Sequence, residues 1–266
     1  MIISKQIANE KIPNLRDLGG MEGVDGRKIR EGLLIRSEQL FNASENDKKL
    51  LEELPIRKIL DFRNPKETKE KPDPVPANCD YLNLSIIDEA SLISWEKDKT
   101  PEKMPEAKSA ADEEADSLHK MREIYRDFIR IPYSRTQYNR FLNEVLSTEN
   151  GAALWHCTLG KDRCGWGSVL VQAVLGVSKE AILEDYLYTN VCLKDEIAAM
   201  MAMFEELNKR TNMKSFHPVL FQAREEYLMA AYNEIDKLYG SMEAYIEEGL
   251  GIDKATIKRF RDKYLV

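Results

Sequence analysis

One stretch of the chain, residues 152–175, constrains the fold more than any other. Ala152–His156 (AALWH) has the apolar composition of a buried strand, and Cys164–Leu175 (CGWGSVLVQAVL) has that of a buried helix. The seven residues between them, CTLGKDR, must therefore form a strand-to-helix turn. Because strands that lead directly into helices build parallel sheets, this stretch predicts an α/β fold.

The rest of the sequence agrees with this prediction. Short apolar segments beside turn residues predict further strands in the first half, where they alternate with helical patterns. The dipeptide Asp25-Gly26 favours a tight turn, so we expect an antiparallel edge before the first of these strands. We therefore expect a central, mostly parallel sheet flanked by helices, followed by a helical C-terminal extension. The further strands are Leu33–Arg36, Lys58–Phe62 and Tyr81–Ile86, and the predicted helices span 44–54, 124–146, 178–188, 193–210, 218–239, 241–248 and 253–264.

Length and composition narrow the class of protein. With 266 residues, 43% of them hydrophobic, the chain can bury a sizeable core, and we expect a single domain over 1–266. The formal net charge of −7 argues against nucleic acid as a partner. No run approaches the roughly 20 apolar residues of a membrane helix, and the first residues lack the apolar core of a signal peptide. The cysteines form no CxxC pair, so we expect reduced thiols in a cytoplasmic protein without a transmembrane segment. They are Cys79, Cys157, Cys164 and Cys192.

Residues 96–116 (EKDKTPEKMPEAKSAADEEAD) differ in composition from the rest of the chain. They are crowded with charge, include two prolines and carry almost no large apolar side chains. We expect this segment on the surface, either as a solvated insertion or as a lid over the active site, because long loops in compact domains are often functional.

The turn after the apolar strand has the chemistry of an anion site. Backbone N–H groups at a helix N-terminus are unpaired and the helix macrodipole favours negative charge there, so this turn can hold a phosphate. The same field, with Arg163 nearby, favours the thiolate form of Cys157, which is the nucleophilic form. Arg163 can fold back over the loop and donate paired hydrogen bonds to two phosphoryl oxygens. We therefore predict Cys157 as the nucleophile. The predicted phosphate-binding residues are Thr158, Leu159, Gly160, Lys161, Asp162 and Arg163.

The same loop resembles that of a known enzyme family. HCTLGKDRCG at His156–Gly165 is similar to the HCxxGKDRTG signature of the atypical bacterial protein-tyrosine phosphatases of the IphP/LipA type. Other motifs on both sides of the loop resemble this family in the same order. The resemblance implies a cysteine-phosphatase fold with extra helices and hydrolysis of phosphotyrosine, often with phosphoserine or phosphoinositide activity, without metal or cofactor. These motifs are Asn14–Gly20, Arg36-Ser37 with Leu40, Asp61–Arg63 with Glu67, Asp185-Tyr186 with Thr189-Asn190, and Tyr239–Ser241 with Tyr245 and 249–251.

Cys164 departs from the family signature, which has threonine after the arginine. A threonine hydroxyl can hydrogen-bond the catalytic thiolate, whereas a thiol is a weaker donor. Cys164 thus lowers activity modestly, acts as a resolving thiol that captures oxidised Cys157, or is simply a small residue that fits its site. The sequence leaves these three interpretations open.

Hydrolysis through a phosphocysteine needs an acid for the leaving group and then a base for water, and one carboxyl group can serve as both. Two aspartates are candidates. Asp162 lies in the loop next to Arg163, which favours its ionised form, while bound phosphate favours the protonated one. Asp61 ends a predicted strand, where its side chain can project over the same crevice or hold Arg163 or the loop in place.

The roles of four basic residues also stay open. His156 orients the loop by hydrogen bonding or is an ordinary buried histidine. Lys161 contacts a second anionic group of the substrate, as a phosphoinositide would need, or faces solvent. Arg16 and Arg36 line the pocket or form buried ion pairs with Asp17 or Asp61.

Together these patterns predict a phosphatase. We expect a cysteine-dependent phosphomonoesterase that hydrolyses protein phosphotyrosine, alone or with dual specificity, and releases phosphate ion. The alternative substrate is a phosphoinositide or inositol phosphate, which suits a wide basic mouth better than a deep, narrow pocket. An alternative of a different class is a catalytically weak phosphate-binding module, which the Cys164 departure favours.

Overall fold

One mixed sheet organises the residues that the computed structural model describes, which are 2–88, 110–211 and 218–266. Its strands are β1 (Lys5–Gln6), β2 (Arg16–Asp17), β3 (Leu34–Ser37), β4 (Ile56–Asp61), β5 (Asp80–Asn83) and β6 (Ala152–His156). They lie in the order β1-β2-β3-β6-β4-β5. The last four strands in this order are parallel to their neighbours, while β1 and β2 add an antiparallel edge. The predicted α/β fold with a mostly parallel sheet is thereby confirmed.

The strands agree with the sequence pattern except at the edge. All four predicted strands are present with small shifts at their ends. The strands β1 and β2 were not predicted, because two residues are too few to show a period. Asp25 and Gly26 do form a tight turn with positive φ angles of 60° and 72°, closed by a bridge between Glu22 and Lys28. The antiparallel edge of the sheet, however, comes from β1 and β2 rather than from the arms of this turn.

Helices cover both faces of the sheet. They are α1 (Glu45–Glu53), α2 (Pro65–Glu70), α3 (Ala110–Arg130), α4 (Pro132–Ser147), α5 (Arg163–Val174), α6 (Lys179–Cys192), α7 (Lys194–Thr211), α8 (Glu225–Tyr239) and α9 (Lys254–Tyr264). Shorter turns lie at Val24–Gly26, Pro218–Phe221, Met242–Ala244 and Tyr245–Gly249. Within the described ranges, none of these helices combines the length and the apolar composition that crossing a membrane requires.

Local capping explains where several helices begin and end. Ser44 and Asp47 form a capping box at the start of α1, and Ser178 caps α6 through the N–H of Ala181. Gly240 ends α8 with a φ of 83°, which favours glycine. Three predicted helices are divided in the structure, and one of them, 241–248, consists of Met242–Ala244 followed by the π-helical Tyr245–Gly249. The segment 124–146 breaks before Pro132, and 218–239 consists of the turn Pro218–Phe221 followed by α8.

The helix predicted from Ile124 begins earlier than expected. Residues 110–116 of the charged segment form the start of α3, and 96–109 lie outside the described residues. Because 110–116 are mostly polar, the apolar period of α3 becomes recognisable only near Ile124. The interpretation of 96–116 as an insertion or a lid stays a prediction.

The core holds the end of β6 at the centre of the molecule. One apolar cluster lies on the face that includes Leu60 and Trp155, where α3 to α6 pack, and a second lies on the face of Leu154 with α1. All five residues of β6 are buried. At its last residue, His156 pairs with Ser37 on one side and Asp61 on the other, so the ends of three parallel strands meet there. The loop after β6 therefore starts at the carboxyl edge of the sheet, where open α/β sheets bind ligands.

Candidate active site

The loop after β6 is a tight turn packed against the end of β3. Cys157 is its first residue and is 3% exposed, and α5 begins at Arg163. Gly160 has a φ of 65°, and a Cβ at this position would lie 2.2 Å from the carbonyl oxygen of Ser37. Only glycine therefore fits here. The N–H of Gln39 donates to the carbonyl of Thr158 over 3.2 Å, which ties the loop to the β3 side.

Two buried side chains hold the loop carbonyls from behind. Asn14 Nδ2 donates to the carbonyl of Gly160 over 2.9 Å and to that of Leu159 over 3.3 Å. Arg36 also donates to the Gly160 carbonyl, over 2.6 Å. In a trans peptide the N–H points opposite to the C=O, so the next two N–H groups, of Gly160 and Lys161, point away from these anchors. The loop thus has the backbone arrangement of an anion-binding nest.

Arg16 and Arg36 are buried partners of Asp185 and do not line the pocket. Arg16 donates to Asp185 Oδ1 over 3.1 Å and to Thr189 Oγ1 over 3.0 Å, and Arg36 lies 3.5 Å from Asp185 Oδ2. Burial alone would raise the pKa of Asp185, but the two guanidinium groups hold it below its ordinary value. Buried ion pairs were predicted correctly, but Asp17 and Asp61 were the wrong partners, since the acidic partner is Asp185 of α6.

Arg163 is oriented by Glu67 of α2. Its two terminal nitrogens donate to the Glu67 carboxylate over 2.8 and 3.0 Å, and one of them also donates to Thr158 Oγ1 over 3.1 Å. Burial opposes the charged form of Arg163, but the Cys157 thiolate and Glu67 outweigh it and raise its pKa. Burial likewise works against the Glu67 carboxylate, yet Arg163 and Thr158 lower its pKa to about 2. The pair is therefore charged at any working pH.

Asp162 lies directly before α5 with its carboxylate turned towards other side chains. Tyr125 of α3 donates to Asp162 Oδ1 over 2.9 Å, and Lys161 Nζ lies 3.5 Å from Oδ2. The Asp162 side chain is 27% exposed, whereas most of its surroundings are buried. This places a partly accessible carboxyl group beside Arg163.

The Lys161 side chain corrects both predictions made for it. It is 1% exposed, and its ammonium donates to the carbonyls of Leu220 and Gln222 over 2.6 and 3.2 Å. It neither faces solvent nor stands ready for a second anionic group of a substrate. Lys161 lies in the loop, as predicted, and its side chain links the loop to the segment that precedes α8.

Asp61 and His156 belong to a buried network below the loop. Arg63 donates to both oxygens of Asp61, and Tyr81 donates to Oδ2 over 2.6 Å. Burial would raise the pKa of Asp61, but His156 and Arg63 lower it to about 2. Among the described residues, Arg63 and Tyr81 occupy the oxygens of Asp61, and Arg163 makes no bond to it. The Asp61 carboxylate is fully buried and does not project over the crevice.

His156 lies between this network and the loop. Its Nδ1 is 3.3 Å from the carbonyl of Cys157, and its Nε2 is 3.4 Å from Asp73 Oδ2. The ligand atoms of Asp61, Asp73 and His156 lie within 4.8 Å of one another, as a metal site would require. Arg63, however, already bonds both carboxylates, and its positive charge takes the place of a cation there. The chemistry of this donor set is that of an ion-pair network.

Cys164 is fully buried on the first turn of α5. Its Sγ approaches the carbonyl of Trp155 at 3.5 Å, on the strand side of the helix. Burial raises the pKa of this thiol to about 12. All four cysteines of the chain are free.

A pocket of about 260 Å³ opens next to the loop. The polar side of its wall includes Asp162 and Arg163, and the opposite side is apolar and comes largely from α3. Its lining residues are Asn64, Glu67, Ile87, Met121, Ile124, Phe128, Asp162 and Arg163. A guanidinium, a carboxyl group and an apolar wall thus face one cavity, and Cys157 is not among its lining residues.

Sequence reasoning did not assign roles to Glu67, Asn14 or Tyr125. Glu67 and Asn14 lie in the motifs that resemble the phosphatase family, and this was the signal that pointed to them. Tyr125 carries no such signal, because a tyrosine at a helical apolar spacing has the pattern of an ordinary core residue.

The fold and this site are consistent with a phosphatase, and comparison with known proteins gives the class of enzyme. The chain belongs to the tyrosine phosphatase family, whose model matches residues 7–266. It is accordingly a protein-tyrosine phosphatase.

Individual relatives agree with this assignment. A Cupriavidus necator protein named as a tyrosine-protein phosphatase, H16_A0669, is 28% identical over 95% of this chain and 86% of its own length. The triple specificity protein phosphatase PtpB of Mycobacterium tuberculosis is 26% identical over 88% of this chain and 91% of its own. A tyrosine-protein phosphatase of Nostoc commune is 28% identical over 57% of this chain and 46% of its own.

Proposed function

We propose that this chain is a cysteine-dependent phosphomonoesterase that hydrolyses protein phosphotyrosine through a phosphocysteine intermediate. The observation that carries the proposal is that one loop brings together the Cys157 thiol, the Arg163 guanidinium and the Asp162 carboxyl group. Arg163 and Asp162 also line the pocket beside that loop. The amides of Gly160 and Lys161 supply further donors for phosphoryl oxygens.

The reaction would run in two balanced steps. In the first, Cys157 Sγ attacks phosphorus, the S–P bond forms, and the P–O bond to the tyrosine oxygen breaks as that oxygen takes a proton from Asp162. In the second, water attacks phosphorus while Asp162 takes its proton, the S–P bond breaks, and phosphate leaves with the thiolate restored. Arg163 and the loop amides bind the equatorial oxygens, where charge is concentrated in both transition states.

Asp162 is the better candidate for the proton carrier. It is partly exposed and lines the pocket, as a group that meets the leaving oxygen must be. Asp61 is buried, paired with Arg63 and held ionised, so it has no proton to give near neutral pH. We assign Asp61 a structural role below the loop.

The pocket favours an aryl phosphate over an inositol phosphate. Its apolar side, formed by Ile87, Met121, Ile124 and Phe128, suits the ring of phosphotyrosine. A polyanionic head group would need cations, and the side chain of Lys161 is engaged elsewhere. The name of the M. tuberculosis relative records three specificities, so we propose that this chain also accepts more than one class of phosphoester.

We place the chain in the IphP/LipA branch of the family on its HCxxGKDR loop. One domain is proposed over the whole chain, since residues from Asn14 to Gln222 contribute to the support of the loop. We also propose a cytoplasmic location, because its reducing conditions keep thiols free, as they are in this structure.

The direct test is phosphate release from a panel of phosphotyrosine peptides, phosphoserine peptides, phosphoinositides and inositol phosphates. We expect the phosphotyrosine peptides to give the highest kcat/KM, with no requirement for added metal and no loss in chelator. A higher kcat/KM on phosphoinositides would contradict the substrate assignment. Tight phosphate binding without release from any member of the panel would instead establish a phosphate-binding module.

We also propose that Cys164 is a packing residue and does not resolve oxidised Cys157. Capture of a sulfenic acid needs a thiolate near it, whereas Cys164 stays protonated and approaches the Trp155 carbonyl. In dilute peroxide we expect wild type and Cys164→Ser to lose activity at rates within about twofold of each other. Intact mass should show oxygen added at Cys157. A loss of two hydrogens from the wild type, with recovery in dithiothreitol, would contradict this assignment.

A further inference from the structure

The two carboxylate oxygens of Asp162 have different environments. Oδ1 accepts a hydrogen bond of 2.9 Å from Tyr125, whereas Oδ2 lies 3.5 Å from Lys161 Nζ. Although Asp162 occupies the capping position of α5, its side chain makes no capping bond to that helix in the part of the chain that the structure describes. Its orientation therefore depends on side-chain partners and above all on Tyr125.

Tyr125 is in turn bonded to a second buried tyrosine. The hydroxyls of Tyr125 in α3 and Tyr186 in α6 are 2.7 Å apart, and both side chains are buried. Each hydroxyl has one proton to donate, and an ionised carboxylate can only accept. Since the Tyr125 proton goes to Asp162, the Tyr186 proton must go to Tyr125. Both hydroxyl protons of this chain thus point towards Asp162.

Burial keeps this relay neutral. It raises the pKa of Tyr125 well above the ordinary value, and the charge of Asp162 adds to the shift. Burial also raises the pKa of Tyr186. Both tyrosines therefore act as fixed dipoles, while the cations near Asp162 come from its own loop. Among the residues that the structure describes, the titratable groups that interact with Asp162 are Lys161 and Arg163 of the loop, Tyr125 of α3, Tyr186 of α6 and Tyr227 of α8.

We propose that Tyr125, supported by Tyr186, is a positioning residue for Asp162. By occupying Oδ1 it leaves Oδ2 as the oxygen that carries the proton into the pocket, and it fixes the direction from which that proton reaches the leaving oxygen. This inference rests on the proposed function, because it assigns Tyr125 a role only if Asp162 exchanges a proton with a phosphoester.

The test compares Tyr125→Phe with wild type on two substrates, 4-nitrophenyl phosphate and an alkyl phosphate. A good leaving group needs little protonation, so kcat on the nitrophenyl ester should stay within about twofold, while kcat on the alkyl ester falls about fivefold to tenfold. The dependence of kcat on the leaving group should therefore become steeper in the variant. Inhibition by inorganic phosphate should not change.

Two further variants separate positioning from packing. Tyr186→Phe should shift the same readouts in the same direction but less, because it removes only the second bond of the relay. Tyr264→Phe is the matched control, since it deletes a buried hydroxyl that donates to the Val145 carbonyl over 2.6 Å, away from the loop. It should leave the ratio of the two kcat values unchanged.

The possible failures are distinguishable. Equal losses on both substrates in Tyr125→Phe, or an unchanged ratio of the two kcat values, would overturn the positioning role while the wild type remains an active phosphatase. If the wild type released phosphate from neither of the two esters, the proposed function would be overturned, and the inference with it.

Discussion

Replacement of Cys157 by serine is expected to lower phosphate release by at least about 10³-fold on every substrate that the wild type accepts. The serine hydroxyl is almost entirely protonated near neutral pH and is a far weaker nucleophile than a cysteine sulfur. The exchange of sulfur for oxygen removes no packing volume of consequence from a site that is 3% exposed. Binding should therefore survive the loss of turnover.

Two measurements separate this outcome from simple unfolding. The variant should keep the thermal midpoint of the wild type, and a phosphotyrosine peptide should bind it without being consumed. Rapid quenching of the wild type during turnover should reveal a phosphoryl adduct on Cys157 by mass spectrometry, and the variant should show none. Residual turnover above about a tenth of the wild-type rate would mean that another group attacks phosphorus.

The loop could be predicted from sequence because its constraints are local. A buried strand, a glycine that must adopt positive φ and a helix start follow one another without interruption from Ala152 to Val174. Arg163 ends the same short loop that Cys157 begins, so the proximity of these two residues can be inferred without knowledge of the tertiary fold. The strands β3 and β4, which flank β6, were recognisable for the same reason.

The supports of the loop could not be predicted because they join distant parts of the chain. Arg16 and Arg36 pair with Asp185, which lies 169 residues from the first of them, and the sequence offered nearer aspartates. Lys161 is charged and would be expected at the surface, yet its ammonium is satisfied by two carbonyls of a segment near residue 220. Partner choice among buried polar groups depends on which elements pack together, and hydrophobic periodicity does not encode that choice.

Asp162→Asn and Asp61→Asn are expected to differ sharply, and their comparison tests the assignment of the proton carrier. An amide cannot donate the proton that an alkoxide needs, so Asp162→Asn should lower kcat on an alkyl phosphate by about 10²-fold or more. On 4-nitrophenyl phosphate the loss should be much smaller, because that leaving group departs as a stable anion. The steeper dependence of kcat on the leaving group is the signature to measure.

Asp61→Asn should act on the fold instead. It leaves Arg63 with less compensation in a buried network, which costs about 3 kcal/mol or more in the free energy of unfolding. The pKa of Asp61 is lowered to about 2 in the folded protein. The wild-type carboxylate therefore stabilises the fold fully at any pH above the pKa of Asp61 in the unfolded chain, and this contribution is lost as the pH falls through about 2. At neutral pH the variant should thus melt at a lower temperature, with both substrates affected alike once folding is accounted for. A selective loss on the alkyl ester in Asp61→Asn, with none in Asp162→Asn, would reverse the assignment, since the proton would then come from below the loop.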